Sequence, residues 1–117
     1  MLARALSSPA VRCTDTLRPA AALAGIEVET TDALLEGADP RAALDELLAA
    51  SVVLADGHAI VACTHGDVVD GVIARVAGSG APVDGPPSSP KAATWELAVL
   101  TGGLDGARYV GPPVLQP

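Results

Sequence analysis

The apolar run Ala59-Ile60-Val61-Ala62 passes without a break into Cys63-Thr64-His65-Gly66-Asp67. A short uncharged run that ends in turn residues reads as a strand buried in a parallel sheet covered on both faces. The turn leads into a helix over residues 67–77. Val68, Val69, Val72, Ile73 and Val76 recur there at core-facing spacing, with Asp67 expected as the helix cap. A strand that turns directly into a helix is the building unit of an open α/β sheet. Such sheets bind ligands beyond the carboxyl ends of their strands. Ser7-Ser8-Pro9 forms a second junction of this type. It follows a strand tail at Leu2 to Leu6 and precedes a helix expected from Ala10 to Ala24. A serine cap and a proline in the first turn are both helix-start signals.

In that helix Val11, Leu17, Ala21 and Leu23 supply the apolar side, Pro19 is expected to kink or split it, and Gly25 ends it. Ile26 to Glu29 alternates as a short edge strand does. Residues 30–39 read as a loop carrying Leu34, Leu35 and Glu36 ahead of Gly37. Asp39-Pro40 then opens a helix whose inner face is Ala43, Leu44, Leu47 and Leu48. Asp56-Gly57 is a turn, and Gly78 to Pro90 is a Gly-, Pro- and Ser-rich loop. Thr94 to Thr101 alternates Trp95, Leu97 and Val99 as a strand. After a turn starting at Gly102-Gly103 it pairs with Ala107 to Val110 in a hairpin. Residues 111–117 read as a loosely held tail. The expectation is one domain over residues 1–117.

Half of the 117 residues are hydrophobic, but there is no Phe and only one Trp and one Tyr. Ala, Val and Leu must fill the core, each burying modest area at about 25 cal/mol per Å². The net charge of −7 argues against a nucleic-acid surface, which needs clustered Lys and Arg. A single anion pocket needs only one or two cations and free N–H groups. No apolar run is long enough to span a membrane, and residues 1–10 lack a signal-peptide pattern. Cys13 and Cys63 do not form a disulfide framework, so a cytoplasmic location is expected.

His65, at a strand end beside a helix start, can stabilise an anion. Arg12, in the first turn of its helix, can grip phosphate oxygens bidentately. Glu36 could protonate a leaving alcohol, although an exposed loop glutamate would look the same. Cys63 is not followed by an arginine at the spacing of tyrosine phosphatases, since the position six residues on is Val69. It reads as a small buried strand residue. His58, Cys63 and His65 lack a fourth ligand at zinc spacing, and no phosphate-binding Gly-Lys-Ser or Gly-Lys-Thr occurs. No metal or cofactor is expected.

Ser7-Ser8-Pro9-Ala10-Val11-Arg12-Cys13-Thr14-Asp15-Thr16 resembles the serine-serine-proline block of the histidine phosphatase superfamily, the phosphoglycerate-mutase-like proteins. Thr64-His65-Gly66-Asp67 resembles that family's second histidine motif. Leu35-Glu36-Gly37 falls where the family often keeps a proton-donor acid. Lys91 to Leu97 resembles the late segment of its small phosphohistidine-phosphatase-like and Nudix-associated members. The likeness runs from about Leu2 to Pro113.

The resemblance implies an α/β, three-layer α/β/α fold with a mostly parallel sheet. It implies phosphomonoester hydrolysis through a phosphohistidine, with Arg12 binding phosphate, His65 stabilising its charge, and Glu36 as general acid. It also implies a nucleophilic histidine in an Arg-His-Gly motif after a strand ahead of the serine block. No Arg-His-Gly stands in this sequence. The expectation is therefore a partial domain missing the family's first strand and helix, inactive by itself, whose open sheet edge promotes self-association. The alternative is a non-catalytic module that binds phosphorylated small molecules or phosphate, or mediates interactions.

Overall fold

The computed structural model describes residues 1–54, 57–100 and 103–112. The chain runs β1 (Leu2–Ser7), α1 (Val11–Ala24), β2 (Val28–Thr30), α2 (Pro40–Ser51), β3 (Ala59–Cys63), α3 (Gly66–Gly78), β4 (Val83–Asp84), β5 (Thr94–Leu100) and β6 (Gly103–Gly111). A single 3₁₀ turn at Asp32–Leu34 interrupts the segment expected to be loop. Together the helices and the parallel and antiparallel strands make a compact α/β domain.

The first sheet is parallel, ordered β2-β1-β3. β1 is its centre, and alternation along β1 sends successive residues to opposite faces. Ala5 packs with Leu17 and Ala21 of α1, joined by Ile26, Val28, Val61 and Cys63. Leu6 packs with Leu34, with Ala43, Leu44 and Ala50 of α2, and with Val68 and Val72 of α3. Leu97 and Leu104 extend this second cluster toward the other sheet, which is ordered β4-β6-β5. There β4 runs parallel to β6, and β5 pairs with β6 antiparallel, as the expected hairpin does. Ala55, Asp56, Thr101, Gly102 and residues 113–117 lie outside the described residues, and with them part of the turns expected at Asp56-Gly57 and Gly102-Gly103 and most of the expected tail.

Several expectations need correction. The run at β3 is not buried on both sides. Among the described residues β3 is an edge strand beside β1, with Ala59 and Ala62 exposed and Cys63 only half-buried. The edge strand after α1 starts at Val28 rather than Ile26; Ile26 is spent packing under α1. In α1 the buried residues are Cys13, Thr14, Leu17 and Ala21. Val11 and Leu23 are 71% and 93% exposed, since they lie off that stripe. Pro19 does not split α1, which runs unbroken from Val11 to Ala24. Asp67 is not the cap of α3. His65 holds that position without a side-chain cap bond, and Asp67 sits in the first turn. Pro9 precedes the cap of α1, Ala10, instead of following it. Gly111 ends β6 rather than starting a tail. At α2 the reading holds: the Asp39 carboxylate accepts from the Arg41 N–H and Pro40 opens the helix.

Candidate functional site

The helices after β1 and β3 lie on opposite faces of the first sheet, α1 with the Ala5 cluster and α3 with the Leu6 cluster. The loops leaving the two strands therefore diverge, the switch point at which open α/β sheets bind ligands in a crevice beyond the carboxyl ends of their strands. The pairing continues past the strand ends, where the Ser8 N–H donates to the Cys63 carbonyl at 2.9 Å. This fixes the serine block against the Thr64-His65 turn. Arg12 comes from the first turn of α1, and His65 caps α3.

The two side chains meet. Arg12 Nη2 lies 2.9 Å from His65 Nδ1. A guanidinium carries only donors, so Nδ1 is the acceptor and the imidazole is neutral, with its proton assigned to Nε2. Nε2–H then donates to Ser8 Oγ at 2.8 Å. Ser8 Oγ also accepts from the Ala10 N–H at 3.3 Å, at the start of α1. Ser8 is fully buried and His65 nearly so, whereas the Arg12 side chain is 69% exposed. The arrangement is a buried, oriented imidazole with a mobile-length cation reaching to it from the solvent side.

Glu36 joins the same cluster. Its Oε2 lies 3.3 Å from Arg12 Nη2, an exposed ion pair. Two bonds hold its loop against the His65 turn: Thr64 Oγ1 donates to the Leu34 carbonyl at 2.6 Å, and the Gly37 N–H donates to Asp67 Oδ2 at 2.9 Å. Gly37 has φ +78°, a left-handed backbone that a side chain would disfavour, which is why the turn after Glu36 carries glycine. Arg12 from the first turn of α1, Glu36 from the loop before α2 and His65 from the cap of α3 are thus brought together.

Sequence reasoning took Ser8 as a cap and missed it as the partner of His65. The signal was a second buried-type serine directly at a strand end. Thr64 and Asp67, which anchor the Glu36 loop, carried no signal readable without the fold.

A cavity of about 80 Å³ adjoins the turn, walled by Thr64, Gly66 and Val69 on one side and by Ser89, Pro90, Ala92 and Ala93 on the other. Its outer wall is pinned to α3 by the Ser89 N–H donating to Asp70 Oδ1 at 2.9 Å, and Trp95 Nε1–H donates to Ser89 Oγ. Ala92 holds φ +63°, which costs a non-glycine residue about 1–2 kcal/mol.

Cys63 stays outside the chemistry. Burial, reinforced by the neighbouring Cys13 thiol, pushes its thiol up to about 11, so little of it is thiolate at neutral pH. His58 is exposed. Among the described residues no three His, Cys, Asp or Glu side chains are grouped to hold a metal ion, and no helix is long and apolar enough to cross a membrane. No protein-family model matches the chain, and no curated protein matches it.

Proposed function

We propose that the crevice binds the phosphoryl group of a small phosphorylated molecule, as the phosphate half of a histidine-phosphatase-like domain with that family's three-layer α/β/α arrangement. The contact that carries this reading is Arg12 Nη2 at 2.9 Å from His65 Nδ1. A donor-only cation this close to a ring nitrogen brings two groups able to donate to an oxyanion to one point. An oxyanion inserted between them would take both, with Arg12 donating to one oxygen and Nδ1 taking up a proton to donate to another. Ser8 would keep the ring oriented throughout through Nε2, and the first N–H groups of α1 and α3 face the same crevice end.

Glu36 is the proposed proton donor. Its pairing with Arg12 would put a carboxyl beside the same anion. Because no Arg-His-Gly stands in the sequence, the isolated chain is expected to hold phosphate without turning it over. The loss of a nucleophile costs on the order of a millionfold in turnover. Two free cysteines suit a reducing compartment, and we place the protein in the cytoplasm on that ground.

Isothermal calorimetry with orthophosphate and with vanadate tests the reading. Binding should appear in the wild type and fall at least tenfold in Arg12→Ala and in His65→Asn. Absence of binding in the wild type, or equal binding in both variants, would overturn it. Hydrolysis of p-nitrophenyl phosphate that disappears in His65→Asn would show that the chain supplies a nucleophile of its own, against the expectation of binding alone.

A further inference from the structure

Fifty positions separate Cys13 from Cys63 in the chain, and the fold puts them in one place. Cys63 ends β3, paired in register with Ser7 of β1, and packs beneath α1 with Ala5, Leu17 and Ala21. Cys13 is buried on the α1 face that covers this cluster, and its Sγ donates to the carbonyl of Thr64, the residue after Cys63, at 3.8 Å. The Cys63 thiol meets the Cys13 thiol and the Thr16 hydroxyl, one turn on along α1, and Cys13 Sγ also lies 4.0 Å from His65 Nε2. Both cysteines are free thiols. The phosphate reading uses neither of them.

We infer that Cys13 and Cys63 form an oxidation-sensitive dithiol that closes to an intramolecular disulfide on exposure to peroxide, tying α1 to the end of β3 beside His65. The steps balance with hydrogen peroxide as the oxidant. The half-buried Cys63 sulfur attacks one peroxide oxygen. An S–O bond forms, the O–O bond breaks, and hydroxide leaves and takes the thiol proton as water. The Cys13 sulfur then attacks the Cys63 sulfenic sulfur; the S–S bond forms, the S–O bond breaks, and a second water leaves with the Cys13 proton. Two thiols lose two electrons and two protons, and one peroxide becomes two waters. The raised proton affinity of Cys63 makes its thiolate scarce at neutral pH, so closure is slow there and quickens as pH rises. A disulfide formed in a reducing compartment is transient rather than a permanent staple.

The test is intact mass and peptide mapping of the purified full chain after peroxide treatment, then alkylation under denaturing conditions. The monomer should lose two hydrogen atoms in mass and resist alkylation at both cysteines. A Cys13–Cys63 cross-linked peptide should appear, and dithiothreitol should reverse all of these. The oxidised chain should also melt higher, by on the order of 10 °C, since the bond closes a long loop. Cys13→Ser and Cys63→Ser should each leave one thiol that oxidises no further than sulfenic to sulfonic acids or links two chains. Two alkylatable thiols in the treated wild type, two sulfonic acids, or disulfides found only between chains would each overturn the inference. Wild-type protein carries the decisive readout, so a misfolded variant cannot mask it.

Discussion

Gly71 lies mid-way along α3, where that helix crosses the start of α2. A Cβ at this position would stand 2.2 Å from Pro40 Cγ and 2.7 Å from Pro40 Cβ. In an open helix Gly→Ala gains about 1 kcal/mol from backbone propensity. Here the added methyl meets a rigid ring fixed at the first position of α2, which cannot swing aside as a long side chain would. Overpacking of this type costs about 1–3 kcal/mol, toward the upper end for a rigid partner. The net expectation for Gly71→Ala is a loss of about 1–2 kcal/mol, which corresponds to a fall of about 4–12 °C in melting temperature for a domain of this size.

Thermal unfolding followed by circular dichroism measures it. Gly78→Ala is the control, since nothing lies within 4 Å of its Cβ position, and it should be neutral or slightly stabilising. Pro40→Ala in the Gly71→Ala background removes the 2.2 Å contact and should recover part of the loss. If Gly71→Ala melts at or above the wild-type temperature, α3 does not rest on Pro40.

Leu34 is 1% exposed beneath the Glu36 loop, so Leu34→Ala should destabilise by about 2–5 kcal/mol in urea unfolding; a loss under about 1 kcal/mol would mean the loop is not packed there. Cys63 holds its proton up to about 11 in the folded chain against an ordinary 9.0, so the unfolded chain ionises first and stability falls as pH rises between those values. Urea midpoints of the wild type and Cys63→Ala should therefore separate above pH 9 and stay parallel below it, and parallel curves throughout would refute the shift. Among the described residues β3 has a hydrogen-bonded strand on one side only, and we expect its open edge to promote self-association. Light scattering should show concentration-dependent dimers that Ala62→Lys abolishes, whereas a wild-type monomer at all concentrations would remove the idea.

Patterns confined to a few neighbouring residues were readable in the chain. Asp39-Pro40 announced α2 because a cap and a first-turn proline act within one turn. The Trp95-Leu97 alternation announced the hairpin for the same reason. The order of strands was not readable. The apolar run at β3 resembles a doubly covered strand, and only the sheet order shows it at an edge with Ala59 and Ala62 in solvent. α1 misled because Val11 and Leu23 are as apolar as Leu17, yet an Ala-rich helix can be rotated with little change in local pattern.

At the site, Arg12 and His65 could be singled out because each stands at a strand-to-helix junction, where such residues serve ligands. Their convergence, and the part of Ser8 in holding the imidazole, depend on β1 and β3 being neighbours. The pairing of Cys13 with Cys63 depends on the same adjacency.

The central claim is that Arg12 and His65 share one oxyanion. Long-range ¹H–¹⁵N spectra of the His65 ring, recorded with and without orthophosphate at neutral pH, test it most directly. The account predicts a neutral ring protonated at Nε2 without phosphate, and protonation of Nδ1 when phosphate binds, with the change lost in Arg12→Ala. A His65 ring whose nitrogens keep the same shifts at saturating phosphate would contradict it.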